Sequence, residues 1–322
     1  MLQVQCVRVS PNPWDSVEVV EVPEPLCPEA GVVVQVRARP INPADTLLLT
    51  GRHLYRPDLP APVGIEGAGE VVAAGSRSRL AVGALVAIPF GGTWRERIAL
   101  GDDDVLPLPP GIDREQAAML SVNPFTAAGL LEGLGAGDWI VANAAASAVV
   151  GQVLALAVPR GVNVVAVARD GRAEARLLGQ GARAFVLDGP GLPERVARVA
   201  GGRVVRALDA VAGDRSVDMF ACVADGGELV VYGLLGGDVA HLPAAELVFR
   251  DVTVRGWSRL RALRAMAPAR RTEITEHIAT AIATGTLSSR VAARFPLAEA
   301  RSALQAQAAG GLDRSEEHTS EL

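Results

Sequence analysis

The sequence predicts an α/β protein in two parts, a β-rich first third and, after it, a doubly wound parallel sheet. Three observations carry that prediction. Apolar runs at 2–9, 17–22, 31–38, 69–74 and 84–89 are separated by Pro and Gly clusters, as in an irregular β-barrel. From Asp113 onward, strand-length and helix-length runs alternate, and such alternation builds a parallel sheet with helices on both faces. Residues 139–168 carry a single charge, Arg160, as expected of a βαβ unit whose strands are covered on both sides.

The elements follow in order. Asp113-Arg-Glu-Gln116 has the form of a capping box and opens a helix expected over 113–132. Strands are expected at 138–142, 162–168, 184–187, 206–211, 227–232 and 252–255. Helices are expected at 149–159, 171–179, 191–200, 214–224 and 243–249, then at 263–285 and 297–308. The apolar stretch 139–168 is no membrane span. Asn143, Ser147, Gln152, Pro159 and Asn163 interrupt it before the roughly 20 residues a span needs.

Composition excludes several chemistries. All 31 basic residues of the 322-residue chain are arginine. Without lysine there is no Schiff base and no Walker-type phosphate loop. A formal net charge of −5 argues against a nucleic-acid partner. Cys6, Cys27 and Cys222 are odd in number and form no CxxC pair, so neither a disulfide framework nor a cysteine zinc site is expected. Reduced thiols and the lack of a secretory n-region make a cytoplasmic location the expectation.

Trp139–Ala142 leads into Asn143-Ala-Ala-Ala-Ser147-Ala-Val-Val-Gly151 and then a helix. A dinucleotide-binding fold places its phosphate turn at such a junction, although the GxGxxG pattern is absent. Taken alone, the segment also reads as an ordinary alanine-rich turn. The next strand ends Ala168-Arg169-Asp170-Gly171-Arg172. An NAD-preferring enzyme puts an acidic residue at that end. Arg169, with Arg172 a turn away, instead suits the 2′-phosphate of NADPH. The bland alternative makes both arginines solvated surface residues, with Asp170 capping the next helix.

Six segments resemble the medium-chain dehydrogenase/reductase superfamily, in its zinc-free quinone oxidoreductase and 2-enoyl-thioester reductase branch. They are Ile41–Asp45 (INPxD), Gly64–Gly69, Gly92-Thr-Trp-Arg95, Ser121–Ala127 (VNPxTA), Val230–Gly233 and Val254–Trp257. The resemblance implies a GroES-like catalytic domain over 1–123, with 263–313 returning to it. It also implies a Rossmann domain over 124–262, with NADPH in the cleft between them. Carried over by position, Asn42 and Thr126 lie near the nicotinamide, and Ser147, Ala148 and Val149 line the pyrophosphate turn. Arg169 meets the 2′-phosphate, and Tyr232 and Gly233 flank the cofactor. Trp94 and Arg95 are candidate contacts for an acyl-thioester substrate; a structural role for Trp94 is the alternative. A homodimer is implied as well.

No metal is expected. Ile65 stands at the histidine position of the zinc enzymes' Gly-His-Glu, and no cysteine lies between Cys27 and Cys222. The implied reaction is NADPH-dependent reduction of a conjugated C=C bond in a 2-enoyl thioester, with quinone or enone reduction as the alternative. A non-catalytic NADPH-binding protein is the reading from another class.

Three features depart from the family pattern. His53 occupies the position of the enoyl reductases' catalytic tyrosine. Three readings stay open: His53 as general acid, Tyr55 acting from two residues away, or water as proton source. Val150 stands where the phosphate turn has glycine, which predicts crowding. Arg314–Leu322 is polar and unlike the chain before it, resembling translated library adapter. This predicts a native end near Asp313, an unfinished sheet edge and a disordered tail.

Overall fold

The computed structural model describes residues 1–53, 55–309 and 317–321. Residues 310–316 and 322, which hold the expected native end and part of the tail, lie outside the described residues. The chain divides into two compact units, unit 1 of Met1–Phe125 with Met266–Leu322, and unit 2 of Thr126–Ala265.

Unit 1 is mainly antiparallel. Its elements begin β1 (Leu2–Cys6), β2 (Val17–Glu21), β3 (Gly31–Ile41), α1 (Pro43–Leu49), β4 (Ala61–Pro62) and β5 (Gly67–Ala74). They continue β6 (Leu85–Ile88), β7 (Arg97–Gly101), β8 (Leu106–Pro107) and α2 (Arg114–Ala118). β3 is the spine, pairing antiparallel with β5 and with β7. Its valines at 32, 34 and 36 bury against Val71, Val86, Ile88 and Ile98. Such a run of β-branched residues suits a strand covered on both faces. β4, β7 and β8 have no counterpart among the sequence-predicted strands.

α3 (Asn123–Leu130) leads into unit 2. There follow β9 (Trp139–Ala142), α4 (Ala148–Ala157), β10 (Asn163–Ala168), α5 (Glu174–Gly179), β11 (Ala184–Leu187) and α6 (Leu192–Ala200). Then come β12 (Val204–Asp209), α7 (Arg215–Ala221), β13 (Glu228–Val231), α8 (Ala244–Phe249), β14 (Thr253–Gly256) and α9 (Arg259–Ala265). The strands form one parallel sheet in the order β11-β10-β9-β12-β13-β14. The order reverses between β9 and β12, the point at which doubly wound sheets open a crevice beyond the strands' carboxyl ends.

Unit 1 resumes with α10 (Pro268–Ala283), β15 (Val291–Arg294), α11 (Ala300–Ala308) and β16 (Glu317–Glu321). Leu297, Ala300, Ala303 and Leu304 pack on Val4, Cys6, Val17, Ile41 and Leu49.

Two expected helices are broken. The helix expected over 113–132 ends at Ala118 and restarts at Asn123, because Pro124 has no amide to continue the ladder. The helix expected over 263–285 is split before Pro268 for the same reason. The N-cap is as expected: Asp113 Oδ1 accepts the Gln116 amide at 3.0 Å. The unfinished sheet edge is corrected. β16 lies between β15 and β3, with His318 opposite Ile41 and Glu321 opposite Ala38. A strand ladder is made of backbone groups, so a polar segment can complete it.

Candidate active site

In unit 2 the candidate residues gather at the carboxyl ends of the parallel strands. Ser147 is the N-cap of α4, its Oγ accepting the Val150 amide at 3.4 Å. The first-turn amides of Ala148 and Val149 have no carbonyl four residues back to bond, which makes a helix N-terminus receptive to anions. Val150 is fully buried and α4 continues past it to Ala157, so valine is accommodated in the turn.

A fully buried carboxylate braces this end of the sheet. Asp209, the last residue of β12, takes the Asn143 Nδ2–H at 2.6 Å and the Ser216 hydroxyl at 2.6 Å. It also accepts the amides of Val211 and Ala212, both at 2.9 Å. Asn143 Oδ1 in turn accepts the Ala210 amide at 2.8 Å. Asn143 and Asp209 thus tie the end of β9 to the end of β12 across the reversal point. From the sequence Asn143 stood out only as part of the turn segment, and Asp209 not at all. The available signal was a polar pair at two strand ends in otherwise apolar runs.

Arg169 follows β10 directly, is exposed, and makes no hydrogen bond or ion pair among the described residues. Arg172 differs: Asp170 caps its amide at 2.9 Å and pairs with its guanidinium. Those contacts with Arg172, hydrogen bonds above all, hold the Asp170 carboxyl down to about 2. Of the two arginines expected to face a phosphate, Arg172 is exposed and shares its charge with Asp170, whereas Arg169 makes no such pair among the described residues. Gly233 follows β13, and a Cβ there would lie 2.5 Å from the Ala210 carbonyl oxygen, so only glycine fits. Tyr232 is part-exposed as a residue, but its hydroxyl is buried and unpartnered. Burial, and then the Asp209 carboxylate, push that phenol above its ordinary value. Thr126 is buried on α3. A receptive helix N-terminus, a close-approach glycine, an orphaned hydroxyl and one open arginine fit a phosphate-bearing dinucleotide.

In unit 1 the polar centre is Glu66, fully buried. Its Oε1 accepts the Asn42 Nδ2–H at 3.1 Å. Its Oε2 accepts the Ser121 amide at 3.0 Å and hydroxyl at 2.8 Å. The Thr93 hydroxyl donates to the Glu66 carbonyl at 2.5 Å. Asn42 precedes α1, where the Asp45 carboxylate accepts its amide at 2.8 Å. Glu66, Ser121 and Thr93 were quoted only as parts of motifs. A carboxylate in the small, apolar stretch Gly64–Gly69 was the signal for the centre they form.

His53 and Tyr55 share one loop of unit 1. The Tyr55 amide donates to His53 Nδ1 at 3.0 Å, which leaves Nε2 as the ring nitrogen able to carry the proton of the neutral imidazole. Tyr55 is 62% exposed and lines, with Cys6, Val9, Leu48 and Leu59, a cavity of about 270 Å³. Trp94 is corrected from a substrate contact to a core residue. It is 3% exposed, packs among Val4, Ile41, Leu49 and Val63, and donates its indole N–H to the Pro40 carbonyl at 3.2 Å. Arg95, the next residue, is half-buried.

Among the described residues no three His, Cys, Asp or Glu side chains are placed to hold a metal ion, and no helix is long and apolar enough to cross a membrane. Residues 28–110 match the family "Alcohol dehydrogenase GroES-like domain", and residues 149–273 match "Zinc-binding dehydrogenase". The chain is 32% identical over 289 residues to the mitochondrial enoyl-[acyl-carrier-protein] reductase of Bos taurus, covering 85% of this chain and 77% of that one. A putative NADPH:quinone reductase of Bacillus thuringiensis superposes with a TM-score of 0.90 at 27% identity, covering 100% of this chain and 98% of that one. The Escherichia coli quinone oxidoreductase, solved with NADPH, shares the fold with a TM-score of 0.88 at 23% identity, covering 100% of both chains. With its GroES-like and Rossmann-type units, the chain belongs to the medium-chain dehydrogenase/reductase superfamily, as a reductase related to the enoyl-acyl-carrier-protein reductases and quinone oxidoreductases.

Proposed function

We propose that this oxidoreductase uses NADPH to reduce the conjugated C=C bond of a 2-enoyl thioester. The observation that carries the substrate class is the 32% identity to an enoyl-[acyl-carrier-protein] reductase over 85% of the chain. Arg169, exposed at the end of β10 and unpaired among the described residues, supports NADPH over NADH, because guanidinium matches phosphate oxygens. The amides of Ala148 and Val149 take the pyrophosphate. Tyr232 and Gly233 border the cofactor, and Asn42 and Thr126 serve the nicotinamide end. When bound, NADPH supplies the hydride.

The chain's own residues have three remaining tasks. Hydrogen-bond donors must stabilise the negative charge that builds on the thioester oxygen, which needs no Lewis acid. A proton must reach the α-carbon. His53, through Nε2, and Tyr55, through its hydroxyl, are the side chains proposed for it, with water as the other source. The Glu66 network must hold Asn42 still, since positioning governs such transfers. We assign the enzyme to a homodimer and to the cytoplasm.

The quinone alternative has an observation in its favour, namely histidine at 53 where the enoyl reductases carry tyrosine. One panel separates the two. NADPH oxidation is followed with crotonyl-CoA and with 1,4-benzoquinone. A kcat/KM at least ~100-fold higher for crotonyl-CoA, about 2.7 kcal/mol of discrimination, is expected. Turnover confined to the quinone overturns the thioester reading, and NADPH binding without turnover of either overturns both.

A further inference from the structure

Two arginines of unit 1 lie against the loop Phe90–Gly92, and none of the described residues of the unit neutralises them. Arg95 reaches back over Gly92, with Nη2 3.3 Å from where a Cβ at residue 92 would sit. Gly92 has φ +72°, so glycine both permits the turn and leaves room for the guanidinium. Arg95 is half-buried, and its Nε is buried without a hydrogen-bond partner. Arg271, from α10, stacks over the Phe90 ring at 5.7 Å and donates Nη1–H to the Asp103 carbonyl at 2.9 Å. Its Nε is likewise buried and unpartnered. Among the described residues neither guanidinium pairs with a carboxylate. Arg206 and Arg294, by contrast, pair with Glu228 and Glu115.

A half-buried cation without a counter-charge is unfavourable unless an anion completes it. Burial alone pushes the Arg95 guanidinium below its ordinary value, and it stays charged. Planar guanidinium groups match the oxygens of phosphate esters best. We propose that Arg95 and Arg271, against the Phe90–Gly92 loop, form a subsite for phosphate groups of the substrate's thioester carrier. The proposal rests on the enoyl-thioester reading, because CoA and phosphopantetheine carriers are the phosphate-bearing part of such substrates. It gives Arg95 a role in holding the carrier part of an acyl-thioester substrate.

The test is isothermal titration of the full chain with CoA, 4′-phosphopantetheine, pantetheine and NADPH. In the double variant Arg95→Gln/Arg271→Gln, the CoA dissociation constant should rise at least ~10-fold, with a shallower salt dependence. A matching loss for 4′-phosphopantetheine places the contact at the pantetheine phosphate. A loss confined to CoA places it at the nucleotide phosphates; both support the subsite. A CoA affinity within twofold of wild type overturns it. So does an equal loss for pantetheine, which has no phosphate, or for NADPH, which makes the phosphate the cofactor's. Arg95→Gln alone, at its half-buried position, carries the test if the double variant does not fold. If CoA binding weakens as expected but crotonyl-CoA is never reduced, the subsite stands and the enoyl-reductase reading falls.

Discussion

In unit 2 the polar centre around Asp209 is built from strand ends and the turns that follow them. Asp209 ends β12, and Asn143, Ala210 and Tyr232 lie just beyond β9, β12 and β13. In unit 1 the polar centre around Glu66 draws Asn42, Thr93 and Ser121 from segments far apart in the chain, each fixed by a different element. Both carboxylates are fully buried and both are saturated with donors. The difference is in how the donors arrive. A parallel sheet delivers them by its regular period, whereas the barrel delivers them only through its particular packing. A functional position in unit 2 follows from the strand count, and one in unit 1 has to be found.

The strongest way to break this comparison is to remove each centre. Asp209→Ala strands the Ser216 hydroxyl, the Asn143 amide and two backbone amides, and Glu66→Ala strands Asn42 and Ser121. Each unpaired buried group costs ~1–3 kcal/mol, so each variant should lose ~3 kcal/mol or more in chemical denaturation. A loss under 1 kcal/mol in either would show that its centre is not structural. Arg169→Ala comes next in size. The NADPH dissociation constant should rise ~10- to 100-fold while that for NADH changes less than about twofold, as expected for one charged phosphate contact. Equal effects on both cofactors would remove the 2′-phosphate assignment.

Smaller effects sharpen the contrast. Deleting residues 314–322 strips β3 of the partner that pairs with Ala38 to Ile41. A cost of ~1–2 kcal/mol for an uncovered ladder would lower Tm by ~2–8 °C. An unchanged Tm would mean that β3 does not depend on β16. The three thiols give the mildest test. Burial, with Asp218 and Glu194 nearby, pushes the Cys222 thiol up to about 12, and burial also raises Cys6. Cys27 is exposed. At pH 8 a thiol reagent should modify Cys27 rapidly and the other two slowly. The unfolded chain ionises Cys222 near pH 8.5 and the folded chain only near 12. Stability should therefore fall as pH rises through that window, and Cys222→Ala should flatten the fall. A variant with the wild-type slope would discount the Cys222 contribution.

Much of unit 2 was legible in the sequence because its strands are short apolar runs buried on both faces. The expected strand at 138–142 is observed at Trp139–Ala142, and that at 184–187 at Ala184–Leu187. The expected strand at 206–211 instead ends at Asp209, whose carboxylate turns the chain by taking two amides ahead of it. Pro124 and Pro268 were plain in the sequence, yet the apolar periodicity ran across both. Unit 1 was less legible. Arg97–Gly101 and Leu106–Pro107 become strands because β3 and β6 present open backbone groups, which no side-chain pattern announces. Trp94 shows the same limit at a single residue. Its motif marked it as noteworthy, and only its neighbours in space reveal that it is core.

By itself the sequence determined the fold class, the order of the parallel strands' elements, the strand-to-helix turn at Ser147 and Arg169 at the end of β10. Those features depend on local period and on residue type at a fixed offset from a strand. Only the tertiary structure decided that Asp170 occupies Arg172, that Glu66 gathers Asn42 and Ser121, and that Arg95 and Arg271 meet one loop without a counter-charge. The physical reason is that the charge, burial and hydrogen-bond state of a side chain are set by what packs against it, and those neighbours arrive from anywhere in the chain.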